Sequence, residues 1–176
     1  PSSAPTILTS SRIGLLSGGA PCASPVSVTV VNLRNLMEQV PFDSATSTLV
    51  LVNPAANRGR AQRVGDAITN VLVERGVAAQ KVLPSTISAT RELVKEAIDR
   101  EVRVVAVGGD GLVHHVVQEI AETSAALGIV PAGTGNDFAS ALRLPTSVDE
   151  MATAATGDAT AIDVLKMTDA AGSVRY

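Results

Sequence analysis

The sequence predicts an α/β protein built on a parallel sheet with helices on both faces. Three observations carry that reading. Apolar, β-rich runs at 47–53, 77–83, 102–107 and 127–133 alternate with segments of helical period, the order that builds strand–helix–strand units around a parallel sheet. The run "VRVVAV" (102–107) is apolar almost throughout, as expected of a strand covered on both faces. Three strand ends open into loops rich in Gly, Asn, Asp or Pro, at 53–60, 108–111 and 131–137. A doubly wound, Rossmann-like sheet takes its ligands there, beyond the carboxyl ends of its strands, so the three loops are expected side by side.

Each element has its own signal. "STLVLVN" (47–53) reads as the first strand. Val64, Ile68, Val71 and Leu72 follow at i, i+4, i+7 and i+8, one face of a helix, and Gly76 closes it. "VAAQKVL" (77–83) is the second strand. Ser88 is a candidate N-cap for a helix whose inner face is Leu93, Val94, Ala97 and Ile98. After the third strand, Val113, Val116, Val117 and Ile120 form another stripe, and "LGIVPAG" (127–133) is the fourth strand. "NDFASAL" and "SVDEMATAA" read as short helices, with Asn136 and Ser147 as caps. "TAIDVLKM" (160–167) and "SVRY" (173–176) read as two strands around a "TDAAG" turn. The expected organisation is an N-terminal extension at 1–46, a main domain at 47–158 and the start of a truncated β-rich domain at 159–176.

Composition narrows the function classes. Hydrophobic residues are 45% of the 176 and aromatics only 2%, so the core must come from Val, Leu, Ile and Ala. Scarce rings argue against single-stranded nucleic acid, which binds by stacking. A net charge of −3 gives no basic footprint for a duplex either. The lone Cys22 excludes an internal disulfide and fits a reducing compartment, where it reads as an inert thiol. No uninterrupted apolar run approaches the ~20 residues of a membrane span, so any membrane contact is expected to be peripheral. The chain begins with Pro, and residues 1–27 are rich in Ser, Pro, Thr and Ala without one acid. Transit peptides share that composition; a disordered tail or a misplaced gene start is the favoured reading.

The loops are not the two common nucleotide motifs. A phosphate-binding P-loop needs G-x-x-x-x-G-K-[ST]; "GIVPAGTG" has Gly128 and Gly133 but Thr134 in place of the lysine. A dinucleotide fingerprint needs G-x-G-x-x-G; from Gly109 the pattern gives Gly111 and then His114. Phosphate chemistry still fits. In "VVAVGGDGL" the glycines Gly108, Gly109 and Gly111 let backbone approach an anion at a helix start. In "VPAGTGNDF", Gly133, Thr134 and Gly135 precede another helix start, with Asn136 and Asp137 in its first turn. Arg58, Arg60 and Arg63 of "VNPAANRGR" bring positive charge to the same rim.

A carboxylate among these glycines needs a reason. Asp110 can share a Mg²⁺, directly or through water, accept the proton of an attacking hydroxyl, or bind a ribose hydroxyl. The first two roles mean phosphoryl transfer. His114 and His115 are adjacent and point about 100° apart on a helix, so they read as surface and packing residues rather than a metal pair.

"LVNPAANRGR", "VVAVGGDGLVHHVV" and "LGIVPAGTGNDFASALRLP", in this order, resemble the nucleotide-binding domain of the diacylglycerol kinase catalytic family, which includes bacterial lipid kinases and sphingosine and ceramide kinases. "TAIDVLKM" resembles the strand leading into that family's second domain. The resemblance covers 47–167 and is specific as a set; Gly-Gly-Asp-Gly alone also resembles NAD kinases. It implies ATP-dependent phosphorylation of a lipid hydroxyl, such as that of diacylglycerol, with Mg²⁺. Asn53, Pro54, Asn57 and Gly59 would then contact the nucleotide. Gly108, Gly109 and Gly111 would wrap the phosphates, with Asp110 at the reacting centre. Gly133, Thr134, Gly135, Asn136 and Asp137 would complete the cleft, and Thr86 matches a family threonine near the nucleotide.

The chain also departs from the family pattern. The first family loop reads Asn-Pro-x-Ser-Gly-x-Gly, whereas Ala56 and Asn57 stand at the Ser and first Gly. Asn tolerates a left-handed backbone, so the turn is expected to survive without the hydroxyl. Leu112 replaces the usual Thr after Gly-Gly-Asp-Gly, removing a second hydroxyl expected beside the phosphates. The reading is therefore an ATP-dependent lipid kinase present as a fragment, cytoplasmic with peripheral contact at the inner membrane face. An NAD kinase-like enzyme and a non-catalytic nucleotide-binding module are the alternatives.

Overall fold

The computed structural model describes residues 46–176; the extension before them, with Cys22, lies outside the described residues. The main unit runs β1 (Thr48–Val52), α1 (Arg60–Glu74), β2 (Ala79–Val82), α2 (Ile87–Asp99), β3 (Arg103–Gly108), α3 (Asp110–Ile120), β4 (Leu127–Pro131), α4 (Asp137–Ala141) and α5 (Val148–Thr156). The four strands form one parallel sheet in the order β2-β1-β3-β4.

The period of two along a strand decides which helix each side chain meets. Leu49 and Leu51 of β1, with Val104 and Ala106 of β3, pack against Leu93, Val94 and Ala97 of α2 and Leu112 and Val116 of α3. Val50, Val52, Val105 and Val107 point the other way, toward Ala61, Ile68 and Leu72 of α1 and Met151, Ala152 and Ala155 of α5. Both faces are thus covered, and every residue of β1 is buried. The predicted doubly wound sheet is what the chain forms.

Ion pairs tie the helices together outside these cores. The largely buried carboxylate of Glu119 on α3 takes both Arg91 and Lys95 of α2. On the opposite face, Arg75 beyond α1 donates to Asp149 and Thr153 of α5. Gly76, at φ 79°, turns the chain after α1 as its sequence position suggests.

Two local expectations are corrected. The N-cap of α2 is Thr86, not Ser88: the Thr86 hydroxyl accepts from the Ala89 amide at 3.1 Å, while Ser88 lies two residues further on, in the first turn, and donates to Glu92. The expected strands at 160–167 and 173–176 shrink to the two-residue strands β5 (Met167–Thr168) and β6 (Val174–Arg175), which pair antiparallel. Their turn is held by Asp169, whose carboxylate accepts the Ala171 and Ser173 amides at 2.9 Å each. Ile162, Val164 and Leu165 are exposed rather than paired.

Candidate functional site at the switch point

The chain leaves β1 toward β2 on one side and returns to β3 on the other, so the switch point lies between β1 and β3. Open α/β sheets bind ligands at that crevice. The Asn53 amide extends the β1–β3 pairing by donating to the Val107 carbonyl at 3.1 Å. Its side chain then starts a tight turn, with Oδ1 accepting from the Ala55 amide at 3.0 Å.

Past exposed Pro54, Asn57, Arg58 and Gly59 take φ values of 47°, 51° and 85°. Three successive left-handed residues are uncommon; Asn and Gly adopt that conformation readily, while Arg58 carries a strain on the order of 1 kcal/mol. The turn thus survives the substitution at Asn57, as expected. Its amide side chain reaches the Gly133 carbonyl at 3.5 Å. The three arginines Arg58, Arg60 and Arg63 are exposed, and none pairs with a carboxylate among the described residues. They stand at the N-terminus of α1, which has no acid in its first turn, so positive side chains and the positive helix end reinforce one another.

The other two loops meet glycine to glycine. A Cβ built on Gly133 would lie 2.5 Å from the Gly109 Cα, and one on Gly109 would lie 3.1 Å from the Gly133 Cα. The Gly108 carbonyl accepts the amides of both Ala132 and Gly133, at 2.8 and 3.1 Å. These glycines therefore serve the approach of one loop to another, a role distinct from the anion approach expected of them. Gly111 differs. Nothing lies within 4 Å of a Cβ placed there, and it is exposed on the first turn of α3.

Asp110 joins the two loops through its carboxylate. Oδ1 accepts the Phe138 amide at 2.9 Å and Oδ2 accepts the Asp137 amide at 3.1 Å. The Phe138 bond, with further backbone amides, holds its carboxyl below the usual aspartate range against the opposing pull of desolvation. Asp137 is exposed; a Cβ on Gly135 would lie 3.2 Å from Asp110 Oδ2 and 3.8 Å from Asp137 Oδ1. Two carboxylates thus flank one point. Among the described residues no group of three or more His, Cys, Asp and Glu is placed to hold a metal ion. The donor set matches Mg²⁺ held by one or two carboxylates with phosphates and waters, not an all-protein cage.

Asn136 does not cap α4 with its side chain. It has φ 61°, and its amide turns back to Gly133, accepting from its N–H at 2.8 Å and donating to its carbonyl at 3.1 Å. Thr134 and Gly135 are exposed on the same loop. Thr86 begins α2, beyond the carboxyl end of edge strand β2, and its hydroxyl is engaged as the cap.

Leu112 is a correction in kind. It is only 5% exposed and belongs to the core on the α2–α3 side. Its side chain lies under the turn, with Cδ2 3.0 Å from the Cβ position of Gly108, so it does not face a ligand. Leu112→Thr is therefore expected to lower stability by about 2 kcal/mol, from lost apolar volume and a buried hydroxyl. Urea denaturation checks this; unchanged stability would mean that position 112 faces the loop rather than the core. His114 is exposed and His115 half-buried, as expected. A shallow depression lined by Ile98, Arg103 and Ser124 sits at the opposite, amino end of β3.

A doubly wound α/β domain with three loops converging at its switch point defines the class. Residues 47–167 match the family described as the diacylglycerol kinase catalytic domain, and the chain belongs to that family. It is 37% identical over 97 residues to a diacylglycerol kinase of Mycobacterium tuberculosis, covering 54% of this chain and 31% of that protein. It is 42% identical over 85 residues to a Pectobacterium atrosepticum protein named "Probable lipid kinase YegS-like", covering 45% of this chain and 28% of the relative. A solved diacylglycerol kinase from Bacillus anthracis superposes with a TM-score of 0.52 at 25% identity, covering 60% of this chain and 40% of that one. The matches thus span about a third of the length of these relatives.

Proposed function

We propose that this chain carries the nucleotide half of a lipid kinase that transfers the γ-phosphate of ATP to a lipid hydroxyl, with diacylglycerol the first acceptor to try. The observation that carries the reading is the contrast among the glycines. Internal contacts account for Gly108, Gly109, Gly133 and Gly135. They do not account for Gly111, where helix propensity alone would favour Ala by up to ~1 kcal/mol. A glycine with free space at a helix N-terminus suits the close approach of a phosphate.

In this reading the loop from Asn53 and Pro54 through Asn57 to Gly59 borders the nucleotide. Arg58, Arg60 and Arg63 offset its negative charge at the rim. Gly108, Gly109 and Gly111 form the phosphate turn, and Gly133, Thr134, Gly135 and Asn136 close the cleft, with Thr86 at its β2 side. Asp110 and Asp137 would hold Mg²⁺, directly or through water, and the ion would supply charge neutralisation at the phosphates. The Phe138 amide, with that of Asp137, already occupies the Asp110 carboxylate and holds its carboxyl below the usual aspartate range, which weakens it as an acceptor for the hydroxyl proton. The cleft would work in the cytoplasm with peripheral contact at the inner membrane face. No described helix is long and apolar enough to cross a membrane.

The test is transfer of labelled phosphate from ATP, with Mg²⁺, to diacylglycerol in mixed micelles, by the chain and by any longer form its gene encodes. Gly111→Ala serves as the site probe. It is expected to keep or slightly raise thermal stability while weakening ATP binding at least tenfold. Labelling of NAD, or ATP binding with no acceptor labelled, would replace this reading with the NAD kinase or the binding-module alternative.

A further inference from the structure

Helix α4 spans only five residues, too few to hold itself together, so its place depends on what satisfies its first free amides. Its own flanking residue does not: Asn136 makes no side-chain cap bond and is turned back onto Gly133. Both leading amides, those of Asp137 and Phe138, are instead taken by the two oxygens of Asp110, 27 and 28 residues earlier. Asp110 is itself aimed by a rigid support. It opens α3, whose next turn is anchored by buried Leu112, Val113 and Val116. The loops admit this bridge because Gly109 and Gly133 touch and because Gly135 leaves room beside Oδ2.

We propose that Asp110 is a positioning residue: it caps α4 from the neighbouring loop, and this pair of bonds sets where Thr134, Gly135 and Asn136 stand. The first turn of α3 and the third loop then move as one body, so the phosphate turn and the far wall of the cleft keep a fixed separation. The consequence for nucleotide affinity rests on the reading of this cleft under Proposed function; the cap itself does not.

The experiment measures single-residue amide hydrogen exchange by NMR on the ligand-free chain, and ATP binding by calorimetry. In Asp110→Ala the Asp137 and Phe138 amides are expected to exchange about tenfold faster while those of β3 are unchanged. ATP affinity should fall at least tenfold. Asp110→Asn retains one acceptor oxygen, and its two amides should exchange at a rate between wild type and Asp110→Ala. Wild-type exchange at these two amides in Asp110→Ala overturns the proposal. So does an Asp110→Asn variant whose two amides exchange as fast as in Asp110→Ala, because the retained oxygen would then not be what holds them. Should Asp110→Ala fail to fold, Gly135→Ala crowds the same bridge from the other side. It should speed the same two amides, and unchanged exchange there overturns the proposal equally. Faster exchange in a chain whose wild type binds no ATP upholds the cap and overturns the nucleotide reading instead.

Discussion

Gly128→Ala is expected to lower the midpoint of thermal unfolding by about 10 °C through one added methyl group. Gly128 lies in β4, where Ala155 of α5 packs directly onto it. An added Cβ would come within 2.4 Å of the Ala155 carbonyl oxygen and 2.9 Å of its Cα. These are backbone atoms of a buried residue, so no rotamer change relieves the contact; α5 must move away from the sheet. Replacing Gly by Ala gains about 0.4–1 kcal/mol through the unfolded chain, but overpacking a fitted core costs about 1–3 kcal/mol and more where backbone must shift. The cost wins. Displacing α5 also strains the Arg75 link to Asp149 and Thr153. Calorimetric unfolding measures the result, and a variant as stable as the parent would mean that Ala155 does not seat on β4 as described. Gly65 makes a useful contrast. Its Cβ would lie 2.5 Å from Val52 Cγ2, a side-chain atom that rotation can move, so Gly65→Ala should cost less.

The same distinction, backbone against side chain, separates what the sequence could reveal from what it could not. The four strands and their helices were legible because burial on two faces leaves long apolar runs and helical stripes, as at Leu49–Val52 and Val104–Val107. The order β2-β1-β3-β4 then brings loops 53–60, 108–111 and 131–137 together, and that convergence was read correctly. The cap at Thr86 is not legible because Thr86 and Ser88 are both good caps two residues apart, and local composition does not choose between them. The place of Leu112 in a motif points to the loop, whereas its position four residues before Val116, on the same helix face, points to the core. The extent of the last strands was overread: "TAIDVLKM" has the residue types of a strand, but pairing requires a partner, and only Met167–Thr168 finds one. What the glycines are for was not legible at all. Gly109 and Gly133 are 24 positions apart, and only the fold shows that they meet. Nor could spacing reveal that the acid among them bonds to the amides of Asp137 and Phe138.

That junction yields the second large effect. Gly133→Ala should weaken ATP binding at least a hundredfold and lower stability by about 2–3 kcal/mol, while leaving the helix and strand content of the folded chain intact. A Cβ at this position would sit 2.5 Å from the Gly109 Cα, 2.9 Å from Asn136 Oδ1 and 3.0 Å from the Gly109 nitrogen. Two of the three are backbone atoms, and the third belongs to a side chain already fixed by two bonds to Gly133 itself. The loops must therefore separate. Separation stretches the Gly133 amide away from the Gly108 carbonyl and pulls Asp110 off α4, so one methyl group disturbs both walls of the cleft. The reciprocal change should be milder: a Cβ on Gly109 comes no closer than 3.1 Å, to the Gly133 Cα, which a shift of a few tenths of an ångström relieves. The expected order of ATP affinity is wild type, then Gly109→Ala, then Gly133→Ala. A phosphate turn that owed its glycines only to the phosphate would exchange the two variants in that order, because Gly109 lies nearer to Gly111 in the chain than Gly133 does. Calorimetric titration of the three proteins at a temperature where all are folded decides between the two.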